Sequence, residues 1–283
     1  MPHPTPWIGF EQLVSLLRQG PAAVLSGAGV STESGIPDYR GPDTRERDHT
    51  PIQYQEFVGS AEVRAHYWAR SAIGWPTFDS AKPNDGHRAL AQLETAGRVT
   101  GIITQNVDRL HQEAENSRVV DLHGRLSEVR CLGCGETTSR WQLQDRLTSL
   151  NPGWTDRATN LAPDGDAQLP RSATRGFQVP ACTACGGILK PNVVFFGENA
   201  APQRVETAWN VLHDASTLLV VGSSLTVYSG YRFVRTAAQN DMPIGIVNLG
   251  ETRGTPHADV QVDAPTGDVL PGVAEALCSS VHP

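Results

Sequence analysis

The sequence predicts a doubly wound α/β fold, a parallel sheet with helices on both faces, carrying a smaller appended domain. Three observations predict it. Apolar, β-branched runs alternate with helical patterns along most of the chain. Most of those runs are continuous rather than alternating, as expected of strands covered on both faces. Polar, glycine-rich turns follow the runs, at the carboxyl ends of strands where such sheets bind ligands. In chain order, a helix over 10–18 leads into a strand over 23–26, where Ala23-Val24-Leu25 runs straight into Gly27. Helices over 61–71 and 86–96 precede a strand over 99–104, and short strands follow over 119–122 and 193–196. A helix over 202–214, a strand over 217–221 (with Leu218-Leu219-Val220-Val221 at its centre), a helix over 230–240 and a strand over 244–248 complete the pattern.

At 283 residues the chain can bury one large domain with an appendage. The expected division is a Rossmann-like nucleotide-binding domain from 10–40, 85–125 and 190–280, a helical module at 41–84, and a zinc-binding module with a long insertion at 126–189. Apolar residues make up 39% and charged residues 19%, which excludes extended disorder. Thirty acids against 23 Lys and Arg give a net charge of −7 with no basic run, so direct nucleic-acid binding is not expected. No apolar run approaches the roughly 20 residues of a membrane span, and residues 1–6 lack the marks of a targeting segment. The expectation is a cytoplasmic enzyme without membrane attachment.

The loop 27–40 joins Gly27-Ala28-Gly29 to a rigid polar continuation that includes Ser31, Gly35, Ile36, Pro37, Asp38, Tyr39 and Arg40. Small residues after a buried strand let backbone N–H groups approach a pyrophosphate. The third glycine of the usual dinucleotide fingerprint is replaced by Thr32. The acidic residue expected about 20 positions on has only Asp48 to offer. The glycines alone suit a ligand-free turn equally well; the charge and aromatic ring that follow favour a dinucleotide.

Four of the five cysteines form Cys131-x-x-Cys134 and Cys182-x-x-Cys185, each pair followed by glycine. Two such knuckles supply four thiolates for a closed, structural zinc site. Redox dithiols or disulfides are the competing readings, disfavoured in a reducing compartment. The 47 residues between the pairs are turn-rich and poor in core-forming residues, which fits either an inert surface insertion or a cover for the active site. Cys278 has no partner in sequence and reads as a small buried apolar residue.

Between loop and knuckles, Gln105, Asn106, Val107 and Asp108 begin where a strand ends, so their polar side chains should reach the ligand crevice. His123, followed by Gly124, closes another short strand and can serve as a base near neutral pH.

Together these residues resemble the sirtuins, NAD-dependent protein lysine deacylases. The resemblance runs from about Gln12 to Leu277 through loop 27–40, Thr104 to Asp108, His123-Gly124, both cysteine pairs, the run 190–198 ending Phe196-Gly197-Glu198, Gly222-Ser223-Ser224 and Asn248-Leu249-Gly250. Tyr39, Tyr67 to Arg70, Gly74-Trp75-Pro76, the stretch 161–166 and Val227 to Tyr231 are similar to the class II branch, which includes a mitochondrial animal sirtuin.

The resemblance implies a mechanism. The acyl oxygen of a modified lysine attacks C1′ of the nicotinamide ribose, nicotinamide leaves, and the acyl group ends on ADP-ribose. Ala28, Gly29 and Arg40 would hold the phosphates, while Asn106 and Asp108 would line the nicotinamide and ribose pocket. His123 would take a proton from a ribose hydroxyl. The turns at Gly222-Ser223-Ser224 and Asn248-Leu249-Gly250 would touch the adenosine half, with Gly267 adding a backbone contact near adenine. Phe196-Gly197-Glu198 would pair with the backbone of an acyl-lysine protein substrate, and Val194 would line the acyl tunnel. Tyr67 and Arg70 share a helix face at the spacing that desuccinylating sirtuins use to grip an acyl carboxylate; a core tyrosine and a solvated arginine explain the pair as well. Tyr39, where many sirtuins carry phenylalanine, keeps open the transfer of ADP-ribose to proteins, and a non-enzymatic NAD sensor is the remaining alternative.

Overall fold

A computed structural model describes residues 7–38, 52–156 and 166–278. Tyr39, Arg40 and Asp48 lie outside these residues, as do 161–165 of the insertion. In chain order the elements are α1 Phe10–Arg18, β1 Ala22–Ser26, α2 Tyr54–Gly59, α3 Ala61–Asp79, α4 Asp85–Thr95, β2 Val99–Thr104, α5 Leu110–Glu113, β3 Val119–Asp121, β4 Gly124–Cys131, β5 Thr137–Ser139, α6 Arg140–Leu150, β6 Leu189–Val193, α7 Pro202–His213, β7 Thr217–Val221, α8 Tyr228–Gln239, β8 Ile244–Val247, β9 Val260–Val262 and α9 Thr266–Cys278. The chain forms two compact units. The first draws on Met1–Asp43, Lys82–Leu122 and Ala200–Pro283, the second on Thr44–Ala81 and His123–Asn199.

The first unit holds a six-stranded sheet in the order β3-β2-β1-β7-β8-β9, with every pairing parallel. This is the doubly wound order in which the chain leaves β1 to one side and later returns to its other side. Successive residues of one strand feed opposite faces. Val24, Ile102, Leu219 and Val221 pack with Phe10, Leu13, Leu90, Leu93, Val269 and Val273 of α1, α4 and α9. Leu25, Ile103, Leu218 and Val220 pack with Val211 and Leu212 of α7 and Phe233 and Val234 of α8. Both faces are covered, which is why the strands read as unbroken apolar runs. Each fully buried Leu, Val or Phe contributes about 2 kcal/mol.

In the second unit, β4 pairs antiparallel with β5 and β6, and Phe57, Tyr67, Trp68, Val129, Leu143, Leu147, Phe177 and Phe195 form its core. Three expectations are corrected here. Strand β6 ends at Val193, where the sequence placed its start, because Val194 to Glu198 turn instead. The insertion contributes core: Leu143, Leu147 and Phe177 are buried, and Trp154 packs edge-on against Phe177 at 4.9 Å.

The third correction concerns α3, which continues past residue 71 through Pro76 to Asp79. Proline has no N–H, so the carbonyl of Ala72 loses its helical donor. The side chain of Gln144 in α6 replaces it, donating Nε2 to Ala72 O at 2.7 Å in a buried position. Beside it Arg140, 1% exposed, lies 5.3 Å from the ring centres of both Trp68 and Trp75 and donates to Gln144 Oε1 at 2.8 Å. Burial pulls its guanidinium down to about 10.

Replacing Gln144 by Leu leaves the Ala72 carbonyl buried and unpaired. The expected loss is about 2 kcal/mol of unfolding free energy, measured by urea denaturation; an unchanged midpoint and slope would contradict this account of the helix.

Candidate functional site

In the first unit the site begins at the ends of β1 and β7, the neighbours between which the strand order reverses. Gly29 N donates to Gly222 O at 2.8 Å and Gly27 N to Val221 O at 3.1 Å. The approach is too close for side chains. A Cβ on Gly27 would stand 2.7 Å from Ser223 Cβ, and one on Gly29 would stand 2.9 Å from Gly222 Cα. Gly222 itself takes φ 58°, the left-handed region that glycine tolerates. The glycines thus have a packing reason in addition to any ligand.

From this junction a polar chain runs across the end of β2. Asn106 Nδ2 donates to Gly27 O at 3.1 Å and to Ser31 Oγ at 3.0 Å. Ser31 Oγ donates to Asp108 Oδ2 at 2.7 Å, and Asp108 Oδ1 accepts from Leu110 N at 2.9 Å. The Asp108 residue keeps some surface, yet its carboxyl group is enclosed. Burial pushes its pKa up, while the Leu110 N–H and the Ser31 hydroxyl pull it down. Gln105 Nε2 donates to Ser223 Oγ at 2.8 Å, tying the β2 turn to the β7 turn. Thus Gly27, Gly29, Ser31, Gln105, Asn106, Asp108, Gly222 and Ser223 form one hydrogen-bonded group. Ile36 is buried at the far side of the same loop, its N–H donated to Ser31 O at 3.3 Å.

The other expected cofactor residues stand on neighbouring turns. Ser224 Oγ meets Thr226 Oγ1 at 3.1 Å. Asn248 folds back on its own turn, donating to the carbonyls of Leu249 and Gly250 at 2.8 and 3.1 Å, and leaves Leu249 54% exposed. Gly267 lies in the first turn of α9, and its N–H donates to the carboxylate of Glu33, whose pKa burial and Asp268 raise.

Sequence reasoning missed a buried group behind this loop. Ser26 Oγ meets His111 Nε2 at 2.9 Å, His111 and His87 lie 4.9 Å apart between ring centres, and His87 Nδ1 meets Asn84 Oδ1 at 3.0 Å. Asn84, placed before the helix that opens at Asp85, is a recognisable helix-start signal. Its reach to the loop is not a local signal. Burial drives the His87 ring down to about 4 and lowers His111 well below its ordinary value.

His123 opens the second segment of the second unit, and its carbonyl accepts from Val194 N at 2.8 Å. Lys190, 5% exposed in its side chain, pairs with Glu198 Oε2 at 2.9 Å, donates to the carbonyl of Val193, and lies 4.6 Å from the Phe195 ring centre. Glu198 Oε2 also accepts from Phe195 N at 3.0 Å, closing the turn around Gly197, whose φ is 80°. Phe196 is 42% exposed, while its carbonyl accepts from Tyr54 N at 2.9 Å. Tyr67 is buried edge-on against Phe57, Trp68 and Phe195. Arg70 donates Nε to Ala167 O at 2.8 Å and accepts Ala167 N on its own carbonyl at 3.2 Å.

The sulfurs of Cys131, Cys134, Cys182 and Cys185 all lie within 4.8 Å of one another. Cys131 and Cys185 are 3.4 Å apart and Cys134 and Cys182 3.9 Å, against about 3.8 Å between thiolates on a tetrahedral zinc. Gly133 N and Gly187 N point at the Cys131 and Cys185 sulfurs at 3.3 and 3.4 Å. Gly135 and Gly186 take the left-handed backbone each knuckle needs, at φ 79° and 73°. The four cysteines are positioned to bind a structural metal, consistent with zinc.

A sequence model of the Sir2 family matches residues 27–229. This chain belongs to the Sir2 family. Among its Sir2 relatives, NAD-dependent protein deacetylase 1 of Streptomyces coelicolor is 52% identical over 261 residues, covering 92% of this chain and 87% of that protein. The mitochondrial NAD-dependent protein lipoamidase sirtuin-4 of Homo sapiens is 49% identical over 251 residues, covering 88% and 80%. A solved structure of Sir2 with a p53 peptide and NAD+ superposes at a TM-score of 0.76 with 29% identity, covering 93% of this chain and 96% of the other.

Both histidines are neutral in the fold, so the unfolded chain takes up their protons first. Their stabilising share is complete above about pH 6.5 and is lost as pH falls toward the folded values, at about 1.4 kcal/mol per pH unit for each ring. His87→Phe should flatten the fall in unfolding free energy between pH 6 and about 4.5 by one ring's share. Parallel pH profiles for the two proteins would show that His87 is charged in the fold.

Proposed function

We propose that this chain is an NAD-dependent protein lysine deacylase that releases nicotinamide and leaves the acyl group on ADP-ribose. The observation that carries the reading is the chain Gly27–Asn106–Ser31–Asp108 at the reversal point of a doubly wound sheet, in a protein about half identical to named NAD-dependent deacetylases. NAD supplies the electrophilic ribose carbon. The protein's own groups do the rest. Ala28, Gly29 and Arg40 are assigned to the phosphates, and Pro37, Asp38 and Tyr39 to the same cofactor. Asn106, Val107 and Asp108 receive the nicotinamide and its ribose. Because Ser31 and Leu110 hold both oxygens of Asp108, the carboxyl group meets the ligand in one orientation, with no reorganisation needed. Ser224, Asn248, Leu249 and Gly250 take the adenosine half.

His123 takes a proton from a ribose hydroxyl, which makes that oxygen the acceptor of the acyl group. The substrate's backbone adds as a strand to the turn at Phe196-Gly197-Glu198, and Val194 lines the acyl channel. The Lys190–Glu198 pair supports this role, since it neutralises Glu198, which closes the turn by accepting from Phe195 N. A cytoplasmic location completes the reading. It is supported by five cysteines that form no disulfide among the described residues and by the absence there of any helix long and apolar enough to cross a membrane. The net charge of −7 supports acyl-lysine proteins rather than nucleic acid as partners.

The test is mass spectrometry of the products from an acetyl-lysine peptide and NAD, where 2′-O-acetyl-ADP-ribose is expected. His123→Tyr should stay folded and keep its metal, yet lose at least about a hundredfold in turnover, the usual scale for a general base; retained turnover removes His123 from the role.

For the acyl carboxylate, the geometry favours structural roles. Tyr67 is enclosed by aromatic rings and Arg70 latches the insertion at Ala167. Arg70→Met should therefore depress turnover of acetyl- and succinyl-lysine peptides alike. A selective loss on the succinyl peptide would instead make Arg70 the reader of that carboxylate.

A further inference from the structure

Asn84 is buried, and every hydrogen-bonding position of its amide is used. Nδ2 donates to the Val30 carbonyl at 2.7 Å and to Ser34 Oγ at 3.1 Å. Oδ1 accepts from His87 N at 3.2 Å and meets His87 Nδ1 at 3.0 Å. The amide can point only one way, because a carbonyl accepts and never donates. Oδ1 therefore faces the histidine, and Nδ1 of His87 must carry the ring's proton. Asn84 N also approaches that nitrogen, at 3.4 Å; the shorter contact to Oδ1 decides the tautomer. Protonating Nε2 as well would bury an N–H with no acceptor among the described residues, so the ring stays neutral and holds the amide in place.

Two functions meet in this one side chain. Toward α4, Asn84 is the N-cap. Toward the loop after β1, it grips Val30 and Ser34, which flank Ser31, the hydroxyl that holds both Asn106 and Asp108. We propose that Asn84, oriented by His87, is a positioning residue for the cofactor: it clamps loop 27–38 to the start of α4 and so sets the affinity for NAD. The inference rests on the reading that this loop binds the dinucleotide.

Replacing Asn84 separates the two functions. Serine caps a helix as well as asparagine does, but is too short to reach Val30. Aspartate also caps, and it places an oxygen where the Val30 carbonyl needs a donor. Asn84→Ser and Asn84→Asp should keep the helix capped and the protein folded at room temperature, with the thermal midpoint lowered by the unpaired Val30 carbonyl, while weakening NAD about tenfold, by titration calorimetry and by KM, the scale of one to two lost hydrogen bonds. Turnover at saturating NAD should stay within about twofold. Ser34→Ala, which leaves the cap untouched, should move NAD affinity the same way by about threefold. Long-range proton–nitrogen correlation spectra of the parent should show His87 as the Nδ1–H tautomer at neutral pH.

Parent-like NAD affinity in Asn84→Ser overturns the clamp. So does unchanged NAD affinity in Ser34→Ala, which would leave Asn84 a structural residue only, and so does an Nε2–H tautomer at His87. A parent protein that binds no NAD at all would sink the cofactor reading itself, whatever the variants do.

Discussion

Everything at the nucleotide end depends on a contact without side chains: the turn after β1 lying against the turn after β7, held by the Gly29 N–H on the Gly222 carbonyl. In a doubly wound sheet this is where the chain's two halves part, so two adjacent strands end without a crossover helix between them. The two turns fill the gap with backbone. Had either carried a Cβ, the strands would have to separate at their ends, and the Gly29 N–H could no longer reach the Gly222 carbonyl. Glycine here gives up conformational entropy, about 1 kcal/mol each against alanine. What it gains is the distance between two peptide planes.

Most of the first unit was legible because its strands are buried on both faces and its helices on one. Leu218 to Val221 cannot be read otherwise, and α1 was predicted with its observed bounds. The failures have local causes. Helix α9 carries Gly267, Pro271 and Gly272, residues that punctuate helices, yet Val269, Leu270 and Val273 pack on α4 and the sheet, and tertiary burial overrides the propensity. Strand β9 has only three residues, Val260–Val262, too few for a pattern. At Pro76 the helix ought to break. It persists because Gln144, 68 positions away in the chain, supplies the missing donor, and no window of sequence contains both partners.

The site divides in the same way. Asn106 and Asp108 could be singled out because they follow a strand end, a position that sequence reveals. Asn84 and His87 could be read as a helix start and nothing more, since the second partners of Asn84, Val30 and Ser34, lie 54 and 50 positions away in the chain. His111 and His87 look like ordinary polar residues in helices and prove to be buried neutral rings.

The second unit meets a different difficulty. Its antiparallel strands are short, its core is rich in aromatics, and two full cations are buried in it. A buried ion pair rarely adds net stability, because desolvation consumes the Coulomb gain. Lys190 and Arg140 are better understood as devices of geometry. Each draws together groups that apolar packing could not orient: Lys190 the carbonyls of Pro191 and Val193 with the Glu198 carboxylate, Arg140 two indoles with the glutamine that mends α3. Leucine in place of either would pack. It would leave the Glu198 carboxylate at the Gly197 turn without its cation, and Gln144, which holds the Ala72 carbonyl, without the guanidinium that orients it.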